Sequence, residues 1–485
     1  MDVEAPARFE AVPVKTPADG PMAVELIPAP DPWHVARKLA HLPHLLFLDS
    51  AEKHTERGRY SYVMADPVEF TTASIVAGEE KTSFRRLDLM ERNFRDRQPW
   101  SSMPELPPFQ CGVAGLFGYG LGREFERTPD PQLDDFESPD LCYGVYEWLV
   151  SFDHARNRAW AVATDRLQLE CALKHLRSHQ RAGTPRSPRR AEAEADARSL
   201  KIAPQNPLPG FPGVTSNFDR AGYEEAVSKV VEYIRAGDCY QVNLSQRLLA
   251  PLREHPLDLY GRLRKLNPAP FAAYFDLGDF QILSASPERF LKVENGEVET
   301  RPIKGTRPRG RTPEEDAALI ADLISNPKDR AENVMIVDLL RNDLGRVCEY
   351  GSVRVPTVCE IETFQYVHHL VSEVRGKLRP ECGPLDLLRA AFPGGSVTGA
   401  PKVRAMEIIA ELEPTARGPY CGSLGFIGFD GTMDTNILIR TFTAGGGWLQ
   451  FPVGGGIVAD SDPHREYEET LHKAAGLLRA LGKVV

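Results

Sequence analysis

The stretch Phe280 to Thr306 reads FQILSASPERFLKVENGEVETRPIKGT. Two runs rich in apolar, β-branched and aromatic residues, Phe280 to Val293 and Glu297 to Lys304, flank Asn295-Gly296. That dipeptide between alternating runs is the strongest short-range signal for a β-hairpin. The second run ends in Arg301-Pro302-Ile303-Lys304-Gly305-Thr306. Proline fixes φ, and glycine lets a ligand approach the backbone closely. An amine in that setting is a turn lysine if open to water; if enclosed, it can lose its proton and act as a nucleophile.

The hairpin poses a geometric question. A two-residue turn pairs Glu288 with Ile303 and puts Lys304 on the opposite face. Shared placement requires a three-residue turn with a bulge at Gly296, or a break at Pro302, which cannot donate to a ladder.

Working outward, Asp219 to Ala236 has helical periodicity and stops at Gly237, and Tyr240 to Gln246 alternates as a strand. Helices are expected at about 313–325 and 328–345, a second strand pair at Ile437 to Thr443 and Trp448 to Ile457, and a last helix from Asp462 to Leu481. Long hairpin strands with helices between them predict an α+β fold. The chain reads as four parts: a loosely ordered lead-in over residues 1–30, an N-terminal region 31–183, a Pro-rich charged linker 184–216 that includes Thr184 to Arg190, and a dense region 217–485.

Composition narrows the function. A net charge of −10 over 485 residues argues against nucleic acid as the main partner, because phosphate binding needs a basic face. It leaves room for a small anionic substrate held by a local cluster. The eight cysteines form no Cys-x-x-Cys pair, which argues against a zinc site or a disulfide framework. No signal peptide and no apolar span of about 20 residues is visible, so no membrane role and a reduced, cytoplasmic setting are expected.

Two expected helices carry acids at one-turn spacing, Asp329 with Glu332 and Glu466 with Glu469, the latter followed by Lys473. Each pair alone reads as a solvated face; together they have the hard-oxygen chemistry of a Mg²⁺ site completed by substrate and water. Pro393-Gly394-Gly395-Ser396-Val397-Thr398-Gly399-Ala400-Pro401-Lys402 precedes a helix running to Glu413, with Pro401 expected in its first turn and Thr398 or Gly399 near its cap. Gly454-Gly455-Gly456 reads either as a set of backbone donors or as a plain hairpin bulge, and His369 either as a ligand-facing group or as a core histidine.

Taken together, these motifs resemble the chorismate-utilizing enzyme family. The resemblance runs through Ser286-Pro287-Glu288, Pro302 to Thr306, Lys328 to Asn333, Asp338 to Leu344, His369 to Ser372, Pro393 to Lys402 and Asp462 to Lys473. It extends more weakly to Leu48-Asp49-Ser50 and Arg59-Tyr60-Ser61, so that 31–183 resembles the N-terminal part of the anthranilate-forming members. It implies two large, mostly antiparallel sheets packed as a sandwich with helices outside.

It also implies site roles. Mg²⁺ would be held by Glu332 and Glu469, with Asp329 and Glu466 supporting through water; Asp329 stands where the family often has Glu. Arg440, Tyr420, Lys473 and the Gly454, Gly455 and Gly456 backbone would hold substrate carboxylates, with Gly305 and Thr306 also binding substrate and His369 lining the ring pocket. Glu288 would be the general acid and Lys304 the nucleophile that captures chorismate at C2 before ammonia enters at C4. Lys304 with Pro393-Gly394-Gly395-Ser396 is similar to the branch that makes 4-amino-4-deoxychorismate; the anthranilate-forming branch, the alternative, carries Ala at 304. Members that use water place a base lysine where this chain has Gln241. Asp49, Ser50, Tyr60, Ser61, Pro270 and Phe271 resemble the family's tryptophan pocket, which leaves a purely regulatory tryptophan-binding subunit as a non-enzymatic alternative. No cysteine has glycine both two residues before and two after it, as a glutaminase elbow would; Cys111 and Cys421 both lack it. The resemblance therefore implies a separate glutamine amidotransferase subunit as partner.

Overall fold

Asn295 and Gly296 have φ of 52° and 76°, the left-handed pair that a two-residue type I′ turn needs. Glu294 pairs with Glu297 and Val293 with Val298, so the tight turn is present. The computed structural model describes residues 9–17, 19–52, 57–75, 83–97, 100–178, 205–364 and 367–483; residues 1–8 and the 184–190 run lie outside these.

Both hairpin arms are interrupted. The expected strand Phe280 to Val293 is two strands in two different sheets. Phe280–Ser286 belongs to a 14-stranded sheet, Arg289–Glu294 to a 10-stranded one, and the crossing falls at Pro287-Glu288. Proline has no N–H to give to either ladder, so it suits the gap between them. The second arm breaks at Arg301-Pro302 into Glu297–Thr300 and Ile303–Pro308, both paired with Val367–Lys377.

All described strand pairings are antiparallel. The two sheets face each other across an apolar layer. Leu46, Tyr62, Ala273 and Ile282 of the larger sheet meet Ala114, Leu116, Leu424 and Phe426 of the smaller. Helices Pro32–Leu39, Pro256–Leu266 and Pro463–Ala480 cover the outer face of the larger sheet. Pro327–Gly345 and Pro384–Ala391 cover that of the smaller. The α+β sandwich with helices outside is the architecture expected.

Several boundaries differ from the sequence reading. Residues 10–27 are not a loose lead-in: Glu10–Pro13 and Met22–Ile27 pair with each other and with Arg158–Ala163, burying Ala23 and Leu26. The tail of the expected linker is also structured. Asn206–Pro207 and Thr215–Ser216 are edge strands, and Leu208 and Val214 are buried, because alternate apolar residues in that Pro-rich stretch find a core face. Both sheets take strands from either side of residues 179–204.

Pro401 is the cap of helix Lys402–Leu412 rather than its first residue, and Gly399–Ala400 pairs with Gln241–Pro251 instead of capping. The strand expected from Ile437 begins at Thr441, because Arg440 has a left-handed φ of 51°. Asp219, expected as the first helical residue, is instead the cap of Arg220–Ala236, which ends at Gly237 with φ 88° as the pattern predicts.

Gly305 carries the one backbone conformation next to Lys304 that a side chain would disturb. Its φ is 83°, and an added Cβ would lie 2.8 Å from Leu323 Cδ1 and 3.0 Å from Asp329 Cγ. Gly351 has a similar φ of 77° with nothing within 4 Å. The left-handed cost, about 1–2 kcal/mol for a non-glycine residue, is common to both. Gly305→Ala is expected to lower the chemical unfolding midpoint more than Gly351→Ala, and only Gly305→Ala to impair activity.

Candidate active site

The break at Pro302 and the conformation of Gly305 answer the geometric question posed by the hairpin. Ile303 pairs with Val371, but Thr306 pairs with His369, so Lys304 and Gly305 together face Leu370. This bulge turns the chain locally and re-aims Lys304. The helix behind it is tied to the same point. Asn333 donates to the Leu370 carbonyl at 3.3 Å and accepts from the Ser372 hydroxyl. Lys304 Nζ then lies 3.0 Å from Glu332 Oε1 and 3.1 Å from the Ser396 carbonyl oxygen.

Glu288 is buried at the sheet crossing, and its carboxyl accepts from the Ser396 hydroxyl and the Ile303 N–H. Burial pushes it up to about 7, with the Ser396 hydroxyl, the Lys304 ammonium and the Ile303 N–H offsetting part of that rise. Ser396 therefore touches both groups to which the sequence assigned chemistry. Sequence reasoning quoted it but gave it no role; the signal was its place in a Gly-Gly-Ser turn immediately before a buried strand and helix.

The two acid-bearing helices meet over the glycine strand. A Cβ on Gly456 would lie 2.8 Å from Glu332 Oε1 and 2.2 Å from Gln241 Nε2. One on Gly455 would lie 3.2 Å from Glu466 Oε2 and 3.5 Å from Glu469 Oε1. Bare backbone at adjacent residues thus admits carboxylates from both helices. Trp448–Ile457 pairs with Gln241–Pro251 along its length, but its other neighbour, Thr441–Gly445, reaches only to Gln450. Lys473 Nζ uses that uncovered stretch, donating to the Gly454 carbonyl at 2.9 Å and pairing with Glu469 at 2.8 Å.

Each acid has a basic neighbour or a hydroxyl. Glu466 accepts from Ser461 at 2.6 Å and lies 4.0 Å from Lys328 Nζ; burial pushes it up. Burial also acts on Glu469, but Lys473, Lys328 and Lys304 outweigh it and hold this carboxyl low. Asp329, one turn before Glu332, is bonded to Arg307 at 3.1 Å beside Gly305 and is pushed up by burial. Gln241 Nε2 donates to Glu332 at 2.8 Å, while its Oε1 is buried without a hydrogen-bond partner.

Among the described residues, no three His, Cys, Asp or Glu side chains group closely enough to form an all-protein metal cage. Carboxylates from two helices, placed at adjacent bare glycines, instead supply the hard-oxygen chemistry that a divalent cation takes together with water and substrate.

On the other side of the bulge, His369 Nδ1 lies 2.9 Å from Thr306 Oγ1 and its ring meets Phe364 at 5.5 Å. Burial, with the charges of Arg440 and Arg57 adding to it, pushes His369 down to about 3, so the ring is neutral at working pH. The same interaction brings Arg440 near the His369 ring. Tyr420 is buried in the core next to Cys421, with the Arg417 guanidinium 5.8 Å from its ring.

The residues resembling a tryptophan pocket also assemble. Asp49, Ser50, Tyr60, Pro270 and Phe271 line a cavity of about 110 Å³ with Arg289 and Asp434. The Asp49 carboxylate is engaged by Arg264 at 2.7 Å and Tyr260 at 3.0 Å. Ser61 supports the wall from behind, accepting from the Ser50 N–H at 3.0 Å.

Comparison with known proteins identifies the family. The chorismate binding enzyme family matches residues 44–479, and the chain belongs to that family. It is 42% identical over 453 residues to aminodeoxychorismate synthase component 1 of Escherichia coli (strain K12), covering 92% of this chain and 95% of that protein. It is 45% identical over 391 residues to anthranilate synthase component 1 of Thermus thermophilus, covering 79% and 80%. Among solved structures, anthranilate synthase component I from Streptococcus pneumoniae matches with a TM-score of 0.70 at 34% identity, over 86% of this chain and 91% of that one. The protein is a chorismate-utilizing enzyme, and two kinds of component 1 resemble it at similar identity.

The Glu288 environment has a measurable consequence. Carboxyl-stretch difference spectroscopy, wild type minus Glu288→Gln, should show a group protonated at pH 6 and ionised at pH 8. Ser396→Ala removes a donor that stabilises the ionised form, so it should move that titration upward.

Proposed function

We propose that this chain forms 4-amino-4-deoxychorismate from chorismate and ammonia, as the Mg²⁺-dependent synthase component of a two-component system. The observation that carries this reading is Lys304 Nζ, held inside the site at 3.0 Å from Glu332 and 3.1 Å from the Ser396 carbonyl. It occupies the position at which the resemblance separates the C4-aminating branch from the anthranilate-forming one. Nothing in a binding-only subunit would require an amine there next to a carboxyl that keeps its proton near neutrality.

The residues support a double displacement. Once its ammonium has given a proton to solvent, the Lys304 amine attacks C2 of chorismate, the ring double bonds shift, and the C4–O bond breaks. Glu288 gives its proton to the departing hydroxyl, which leaves as water. Ammonia then attacks C4, the double bonds shift back, and the C2–N bond breaks to restore the Lys304 amine. The excess proton on the new amino group returns to Glu288. His369 bounds the ring pocket as a neutral imidazole, and Arg440, Lys473 and the uncovered Gly454–Gly456 backbone are the groups that orient the substrate carboxylates. Glu332 and Glu469, supported by Glu466, are the residues that would hold Mg²⁺; Asp329, bonded to Arg307, is the weakest member of the set. When bound, the ion offsets substrate charge and fixes the carboxylate.

Ammonia must come from outside this chain. The two cysteines nearest in sequence context to a glutaminase elbow are buried, and burial pushes the Cys421 thiol up to about 12 and the Cys111 thiol well above its ordinary value. A separate glutamine amidotransferase subunit fits that lack. Among the described residues, no helix is long and apolar enough to cross a membrane.

The competing reading is anthranilate synthase component 1, favoured by the identity to the Thermus protein. Product analysis separates the two. Purified protein with chorismate, Mg²⁺ and ammonium should yield aminodeoxychorismate without pyruvate, and none from glutamine alone. Release of anthranilate with pyruvate overturns the proposal. Without ammonia, intact-protein mass spectrometry should show a chorismate-derived adduct on wild type and none on Lys304→Ala.

The metal set is tested separately. Glu332→Gln and Glu469→Gln each keep the shape and remove a charged hard ligand. Each is expected to raise the Mg²⁺ concentration for half-maximal activity by roughly tenfold or more, within the range of losing one ligand-shell contact. An unchanged Mg²⁺ requirement in both would mean that the two helices do not form the site.

A further inference from the structure

We propose that Arg417 is a positioning residue for both Lys304 and Glu288, acting through the Gly395–Val397 turn; the proposal rests on the functional reading above. Arg417 belongs to none of the groups assigned a role in the chemistry. It is buried, with its side chain 2% exposed, in the loop after helix Lys402–Leu412. Each of its three guanidinium nitrogens donates a hydrogen bond. Nε and one terminal nitrogen form a fork on the Glu413 carboxylate, at 2.9 and 2.7 Å. The same terminal nitrogen donates to the Asn243 carbonyl at 2.6 Å, and the other donates to the Val397 carbonyl at 3.0 Å. One face rests over the Tyr119 ring at 4.7 Å. Glu413 in turn accepts the Ser245 N–H and hydroxyl, both at 2.8 Å.

These bonds clamp two segments together. Asn243 and Ser245 belong to strand Gln241–Pro251, whose first residue, Gln241, holds Glu332. Val397 adjoins Ser396, the residue whose carbonyl receives Lys304 Nζ and whose hydroxyl reaches the Glu288 carboxyl. The clamp is completed by the Asn243 N–H, which donates to the Thr398 carbonyl at 2.7 Å. Together with the backbone pairing of Gly399–Ala400 to this strand, Arg417 therefore fixes the turn that contacts nucleophile and acid against the strand carrying Gln241.

The chemistry of the pair supports a geometric role. A buried ion pair contributes little net stability compared with a well-packed apolar pair. A planar fork with fixed donors does, however, define the relative placement of a carboxylate and two carbonyls, which a lysine cannot reproduce. Misplacement of a reacting group by about 1 Å can cost on the order of a hundredfold in rate.

The test compares wild type, Arg417→Lys, Ser396→Ala and the double variant, all with chorismate, Mg²⁺ and ammonium. Arg417→Lys keeps a cation beside Glu413 and should retain a cooperative melt. Its kcat should fall by roughly a hundredfold, with KM for chorismate close to wild type. The Glu288 carboxyl titration should move upward, in the direction that Ser396→Ala moves it. The double variant should be little slower than Arg417→Lys alone, because both changes disturb one turn.

Wild-type kcat in Arg417→Lys overturns the proposal. So do strictly multiplicative effects in the double variant, or parallel loss of kcat, chorismate binding and cooperative melting. If Arg417→Lys does not fold, Glu413→Gln, which keeps the shape and removes the charge, is read in its place. Failure of both to fold assigns the pair to the fold alone and also overturns the proposal. The wild-type product decides the functional reading independently, since the ratio of variant to wild-type turnover reads Arg417 whichever product is formed.

Discussion

A chain that passes from one sheet to another must leave one hydrogen-bonded ladder before it joins the next, and here it does so at Pro287-Glu288. That constraint places an acidic residue at the seam of the sandwich, where neither ladder claims its side chain and the surroundings are dry. The desolvation that keeps Glu288 protonated near neutrality follows from this position. The hairpin that follows begins its return along the same sheet, breaks at Pro302, and brings Lys304 back beside the seam. Acid and amine are neighbours because one strand crosses and the next is interrupted.

The second organising feature is electrostatic. A chain with a net charge of −10 builds a site in which carboxylates from two helices are matched by Lys304, Lys328 and Lys473. The match is local and depends on the absence of side chains at Gly455 and Gly456. With either residue replaced by alanine, the added carbon would crowd a carboxylate oxygen, and that side chain would have to shift. Net charge and site charge are therefore different quantities, and only the latter bears on binding an anionic substrate.

Overall identity does not separate the two kinds of component 1 that resemble this protein, at 42% to one and 45% to the other. In the function proposed above, the difference lies in the chemistry of one position, Lys304, whose amine is held beside Glu332 and the Ser396 carbonyl on a scaffold that by itself dictates no single reaction.

The sequence by itself determined the α+β class, the tight Asn295-Gly296 hairpin, the helix stop at Gly237, and the family, because these follow from local periodicity, φ preferences and motif spacing. It also named Lys304, Glu288, Glu332 and His369, which the fold brings to one place or to adjoining walls of it. Pairing decided the rest. Residues 10–27 and 206–216 look loose because short edge strands carry too little pattern to be seen without their partners. The break of the first hairpin arm into two sheets, and the bulge that re-aims Lys304, depend on which neighbour each residue meets, a long-range choice that no local period encodes. Ser396 and Arg417 lie outside any acid or base motif. Their importance exists only in three dimensions, where a turn nearly a hundred residues from Lys304 in the chain closes against its amine.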